Sequence, residues 1–237
     1  MTHLDKKNLL LLNLILGFFA WSDISKLQVP KGFEIQEFVT EIDDARQMVE
    51  GNNYIFVGTK SAGNVYAIDK NNSNKVSTIL TELDMPTGVA LKNGDLYIAE
   101  TDTIHVVKNI ESKLVTNERI TTEIFFSDLP RKTMWNPVKK AWHGWKWIDF
   151  GPDGALYISE GVPCNVCDEN DPRYGTILKL DNNILSIYAD GVRNSVGFDW
   201  HPETKEMYFT DNGRDWMGDD IPPVSYTHLT LPTTPYV

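Results

Sequence analysis

Four short apolar runs recur through the chain: N-Y-I-F-V-G (Asn53 to Gly58), D-L-Y-I-A-E (Asp95 to Glu100), A-L-Y-I-S-E (Ala155 to Glu160) and E-M-Y-F-T-D (Glu206 to Asp211). They are too short for helices and rich in aromatic and β-branched residues, so they read as strands. Aligned on Phe56, Tyr97, Tyr157 and Tyr208, they are spaced by 41, 60 and 51 residues. Unequal spacing with a repeated pattern means loops of different length on a common unit. Three of the runs follow another apolar stretch, G-V-A-L (Gly88 to Leu91), W-I-D-F (Trp147 to Phe150) and G-F-D-W (Gly197 to Trp200). Turns such as K-N-G-D and G-P-D-G join these pairs as hairpins, with Gly supplying a positive φ and Pro a preset one. The first three runs are followed by a further strand, N-V-Y-A-I-D (Asn64 to Asp69), T-I-H-V-V-K (Thr103 to Lys108) and T-I-L-K-L-D (Thr176 to Asp181).

A repeated antiparallel unit with a period of about 40 to 50 residues, stretched by insertions, predicts an all-β chain built as a β-propeller. A β-sandwich or another antiparallel barrel is the competing architecture, but neither repeats this hairpin-plus-strand unit. Helical periodicity never extends beyond a turn or two after the N-terminal segment. About four blades are expected, the last one lacking its outer strands and leaving an unpaired edge.

Both ends read differently from the middle. Lys6 and Lys7 precede an apolar run from Leu9 to Phe19, and Ala20 to Ser22 offers small residues where a signal peptidase cuts. Residues 1–22 are therefore expected to be a signal peptide, giving a periplasmic or secreted protein with no stable membrane span after cleavage. An anchor would need roughly 20 apolar residues, and Asn13 interrupts this shorter run. From Val224 the sequence V-S-Y-T-H-L-T-L-P-T-T-P-Y-V resembles a translated sequencing adapter, so 23–223 is expected to be the native domain and 224–237 a foreign tail.

The formal charge of −11 disfavours phosphate backbones, and no basic stretch interleaved with aromatics argues for nucleic acid. Seven Trp and nine Tyr suit a β-rich core and also a carbohydrate-like or aromatic ligand. The only cysteines form C-N-V-C at Cys164 and Cys167. In an exported chain a local disulfide is the leading reading. Haem attachment would need His where Asp168 stands, zinc would need a second ligand pair, and a redox CxxC would open a helix rather than a loop.

Candidate chemistry lies just before the inner strands, where propeller side chains face the axis. Asp84, His143 and Arg193 each stand seven residues before the last apolar residue of such a strand, Leu91, Phe150 and Trp200. Equal offsets predict convergence on one mouth, as a ligand site requires. The plainer readings are a core histidine bonded to a carbonyl and an inter-blade salt bridge for Arg193.

The segments H-G-W-K-W-I-D-F-G-P-D-G, G-V-R-N and F-T-D-N-G-R-D-W-M-G-D-D together resemble the soluble PQQ-dependent sugar dehydrogenases of the glucose/sorbosone dehydrogenase family, most closely its sorbosone-dehydrogenase-like branch. The resemblance runs from about Val29 to Pro223 and implies a six-bladed parent fold. It also implies oxidation of an aldose or sorbosone-type sugar by hydride transfer to PQQ, with electrons passed to an external acceptor. His143 would be the general base, and Arg193 would stabilise charge on the quinone oxygen. Asn194 and Asn212 would contact PQQ, and the main-chain carbonyls of Gly213 and Arg214 would bind Ca²⁺. A carboxylate orients the base in the glucose-oxidising branch; Glu160 and Asp149 are the rivals for that place. The Cys164 to Cys167 loop would shape access of the substrate. Later blades supply cations for the PQQ carboxylates in the family, so a chain ending here is expected to be inactive alone. The alternatives are a metal-dependent lactonase-like propeller, with carboxylates and Asn around a central metal, and a non-catalytic NHL-like binding propeller.

Overall fold

The computed structural model describes residues 26–130, 143–166 and 169–216, together with the backbone of 225–228. The predicted signal peptide, 1–22, and Cys167 lie outside the described residues. Of the described residues, 26–38 belong to a unit of their own, in which Phe33 N–H donates to the Pro30 carbonyl. The second unit, from Val39, is a β-propeller arc of four antiparallel sheets.

The first blade is β1 (Ala45–Glu50), β2 (Tyr54–Thr59), β3 (Val65–Asp69) and β4 (Lys75–Leu80). The second is β5 (Gly88–Lys92), β6 (Asp95–Ala99), β7 (Ile104–Val107) and, after the short helix α1 (Ile110–Val115), β8 (Glu123–Phe126). In the third, β9 (Ile148–Phe150), β10 (Leu156–Glu160), β11 (Thr176–Asp181) and β12 (Ile184–Asp190) follow in order. The fourth has three strands, β13 (Phe198–Trp200), β14 (Met207–Asp211) and β15 (Ser225–His228), the last from the run expected to be foreign. Among the described residues no helix is long and apolar enough to cross a membrane.

Period-two alternation assigns each face of a blade to a different neighbour. In β6, Leu96 and Ile98 pack with Phe56, Val65 and Ala67 of the first blade, while Tyr97 and Ala99 pack with Ile148, Leu156 and Ile158 of the third. β10 repeats the arrangement, with Tyr157, and Ala155 just before the strand, against Phe198, Met207 and Phe209 of the fourth. The recurring tyrosine meets the aromatic residue that ends the next blade's inner strand. Tyr97 stands edge-on to Phe150 at 4.8 Å, and Tyr157 to Trp200 at 5.1 Å. Hairpin chemistry follows the sequence too. Asn93 and Gly94 both have positive φ (54° and 83°), the conformation a two-residue primed turn demands.

Apolar faces hold the blades together, but a side chain sets their offset. Gln47, on β1, is 4 % exposed. Its Oε1 accepts from Val89 N–H (3.2 Å) and Ile148 N–H (3.1 Å), and its Nε2 donates to the Ile148 carbonyl at 2.7 Å. One carboxamide thus satisfies main-chain groups of the second and third blades. Thr87 continues the clamp, because its hydroxyl accepts from Lys146 N–H and donates to the Lys146 carbonyl, both at 2.9 Å.

Gln47→Leu keeps the volume but orphans two donors and one acceptor in the interior. The unfolding free energy should fall by about 2–4 kcal/mol in urea denaturation, and a loss below about 1 kcal/mol would show that the clamp carries little.

Candidate functional site

The loops before β9 and β13 and the segments after β10 and β14 meet at one rim. His143 is the first described residue of the loop before β9 and has φ at 53°, a left-handed conformation that a histidine adopts when its surroundings hold it there. The loop is fixed downstream by Thr87 on Lys146 and by Ser159, whose Oγ accepts from Trp147 N–H at 2.8 Å. The residue is 6 % exposed, and its Nδ1 lies 2.8 Å from the Val162 carbonyl oxygen. A carbonyl only accepts, so Nδ1 carries the proton and Nε2 the lone pair. Burial pushes the imidazole below the ordinary value of 6.5, and the nearby positive charges of Arg193 and Lys60 act in the same direction. The bond to Val162 and Asp215 pull the other way.

The main chain locks this loop to the next blade. Val162 N–H donates to the Arg193 carbonyl at 3.0 Å. Gly161 has no room for a side chain: a Cβ there would stand 2.7 Å from both Cβ and O of His143 and 3.1 Å from Asn194 Oδ1. His143, Gly161 and Asn194 are therefore in close mutual packing.

Arg193 and Asn194 are held from below by Asp211, the last residue of β14. Its carboxylate accepts from Asn194 N–H at 2.6 Å and from Arg193 N–H at 3.3 Å. Asn212 donates from both N–H and Nδ2 to the Asn194 carbonyl, at 3.1 and 3.2 Å. The Arg193 guanidinium donates from Nη1 to the Asn212 carbonyl (2.9 Å) and from Nη2 to Asn165 Oδ1 (2.9 Å). Its Nε is buried with no hydrogen-bond partner among the described residues. Asn165 Oδ1 also accepts from Asp215 N–H at 2.9 Å, so the C-N-V-C loop braces both the arginine and the turn holding Gly213 and Arg214. Cys164 is disulfide-bonded, as the two-cysteine loop led us to expect.

The structure thus brings His143, Arg193, Asn194 and Asn212 together, with Gly213 and Arg214 directly following. Asp84 sits at the matching place two blades earlier, where its carbonyl accepts from Thr101 N–H as the Asn194 carbonyl does from Asn212 N–H. By that bond its counterpart is Asn194 rather than Arg193, a slip of one residue from the equal-offset expectation. Neither carboxylate proposed to orient the base does so. Asp149 accepts from Phe150 N–H, and Glu160 lies 2.7 Å from Lys146 Nζ, the two side chains 1 % and 0 % exposed. Burial pushes the Glu160 carboxyl up against the pull of Lys146. Asp211 and Asn165 were missed by sequence reasoning. Asp211 was legible, because Y-F-T-D ends in an acid as Y-I-A-E and Y-I-S-E do. Asn165 carried no such signal. Among the described residues no group of three or more His, Cys, Asp or Glu is arranged to hold a metal ion.

No family model matches the chain. It is 32 % identical over 219 residues to an uncharacterised protein of Borreliella burgdorferi, a match covering 87 % of this chain and 54 % of that protein. The chain spans about half the length of the curated relative it matches. The holo form of the pyranose dehydrogenase PQQ domain from Coprinopsis cinerea is similar at a TM-score of 0.62 and 11 % identity, over 85 % of this chain and 51 % of that one. The PQQ-bound aldose sugar dehydrogenase from Streptomyces coelicolor is similar at a TM-score of 0.55 and 14 % identity, over 76 % and 60 %. At these identities the likeness establishes a shared β-propeller fold.

Lys146→Met would leave Glu160 buried without its counter-charge. Stability at pH 8 should drop by about 3–5 kcal/mol, and the double change Lys146→Met with Glu160→Leu should recover most of it. A double variant as unstable as the single one would show that the loss comes from packing rather than charge.

Proposed function

We propose that the protein is a PQQ- and Ca²⁺-dependent dehydrogenase of an aldose or sorbosone-type sugar, exported, and passing electrons to an external acceptor. The observation that carries the reading is the tether of His143 Nδ1 to the Val162 carbonyl, which leaves a buried imidazole with its lone pair on Nε2 beside a fixed arginine. The propeller fold shared with the two PQQ-binding sugar dehydrogenases supports it, as does the run of H-G-W-K-W, G-V-R-N and T-D-N-G-R along the sequence.

When bound, PQQ supplies the two-electron oxidant for the hydride that leaves the sugar carbon. His143 Nε2 takes the proton of the sugar hydroxyl, a task for which a neutral ring at pH 7 is needed. The lowered pKa keeps it neutral there. Arg193 would meet an anionic ligand oxygen through its Nε–H, which has no hydrogen-bond partner among the described residues, while its other nitrogens are braced by Asn212 and Asn165. Asn194, 6 % exposed and held by Asp211, would present its amide to the same cofactor. Ca²⁺ would be held by the main-chain oxygens of Gly213 and Arg214, hard donors that suit this ion. The sequence pattern of the first 22 residues supports export.

The proposal includes the foreign origin of the run from Val224, so the assay belongs on the gene product read through from Pro223. Sugar-dependent dye reduction should require PQQ and Ca²⁺, and His143→Asn should lower kcat by about 10²-fold or more while the melting temperature is kept. The base must be unprotonated. Because burial lowers its pKa from 6.5, the fall of kcat/KM on the acid side should be centred below pH 6.5. Unchanged activity in His143→Asn, or dye reduction without PQQ, would overturn the assignment.

A further inference from the structure

We infer that a pocket between the first and third blades binds the carboxylate-bearing edge of a planar acidic ligand. Arg46 from its lining and Lys60, which stands against the ring of the lining residue Trp145, are the cations, and the indole N–H groups of Trp145 and Trp147 are further donors. The inference rests on the proposed function, under which that ligand is PQQ.

Three observations converge on this place. A cavity of about 240 Å³ opens where the inner strands begin, lined by Arg46, Gln47, Thr87, Trp145, Trp147 and Ser195 among others. The indole Nε1 atoms of Trp145 and Trp147 are both buried and have no acceptor among the described residues. Buried donors without acceptors are costly and uncommon, and two of them on residues that line one cavity call for a ligand rich in oxygen. Lastly, Lys60 Nζ lies 3.8 Å from the centroid of the Trp145 ring and Arg46 Cζ 6.0 Å from it. Among the described residues no other aromatic ring faces two cations.

The fold explains why these groups meet. Arg46 lies in β1, and Lys60 follows β2 directly, its N–H donating to the Asp44 carbonyl. The Gln47 clamp draws that hairpin against the segment before β9, which carries both tryptophans. Trp145 also stands edge-on to His143, with ring centroids 5.8 Å apart. The indole therefore borders the base on one side and the cations on the other. In a chain of net charge −11, two cations gathered against one ring form a local positive field for an anion. The ordinary alternative is a stacking contact that only joins the blades, and it would be indifferent to ligand charge.

The test uses the 237-residue chain and two ligands, PQQ and benzene-1,3,5-tricarboxylate, titrated while tryptophan fluorescence is followed. Both should bind saturably and more weakly at high salt. The double change Arg46→Gln with Lys60→Gln should raise Kd about tenfold or more for each, while Arg46→Lys with Lys60→Arg retains most of the affinity. Equal Kd in the glutamine variant, or no saturable binding by the unaltered chain, overturns the inference. If both ligands bind through the cations but the read-through protein shows no PQQ-dependent sugar oxidation, the pocket stands and the proposed reaction falls. If the reaction depends on PQQ and His143 while the glutamine variant binds PQQ unchanged, the reaction stands and the pocket falls.

Discussion

The carboxamide of Gln47 fixes the offset between three inner strands, and the candidate site depends on that offset. Blade-to-blade burial supplies most of the cohesion, but apolar contact is non-directional and does not by itself fix one strand's height against another. Hydrogen bonds from one buried side chain to Val89 and Ile148 do. Thr87 then grips Lys146, and Ser159 grips Trp147, so the segment reaches His143 with little freedom left. A left-handed histidine at its start is the local strain that this bracing sustains.

Repetition also prepares the rim chemically. Glu100, Glu160 and Asp211 occupy the same place at the end of the second strand in three successive blades. Glu100 accepts from Asp84 N–H and Asp211 from the N–H groups of Arg193 and Asn194, so in two blades the carboxylate holds the loop that precedes the inner strand. The third blade departs from this use, because Glu160 is committed to Lys146. The carbonyl of Val162 takes over the orienting role at His143. A neutral acceptor adds no charge to the ring, whereas a carboxylate would raise its affinity for protons. The site is thus arranged to keep a buried imidazole uncharged.

What could be read from the sequence follows from how directly each residue's pattern reflects its burial. The second strands, with Tyr97 and Tyr157 in the alternating core, were visible because both faces are apolar and their turns carry Asn, Gly and Pro. β1 was not visible, because the buried position in A-R-Q-M-V-E is a glutamine working through hydrogen bonds. The fourth strands β4, β8 and β12 escaped for the opposite reason, their mostly exposed positions carrying little pattern. At the site, the approach of His143 to Arg193 was anticipated from their offsets, while the one-residue slip toward Asn194 needed the bonds of the rim itself. Arg46 and Lys60 were beyond reach, because their meeting with Trp145 depends on long-range strand placement and on no local spacing.

The central claim is that this rim oxidises a sugar by moving a hydride from carbon while His143 takes the hydroxyl proton. Its most direct test is a single-turnover experiment on the read-through protein with PQQ and Ca²⁺, comparing an aldose carrying hydrogen at C1 with the same sugar carrying deuterium there. The account predicts that the loss of quinone absorbance slows several-fold with deuterium in the wild type and vanishes in His143→Asn. A rate indifferent to deuterium, with the same absorbance change in His143→Asn, would contradict it.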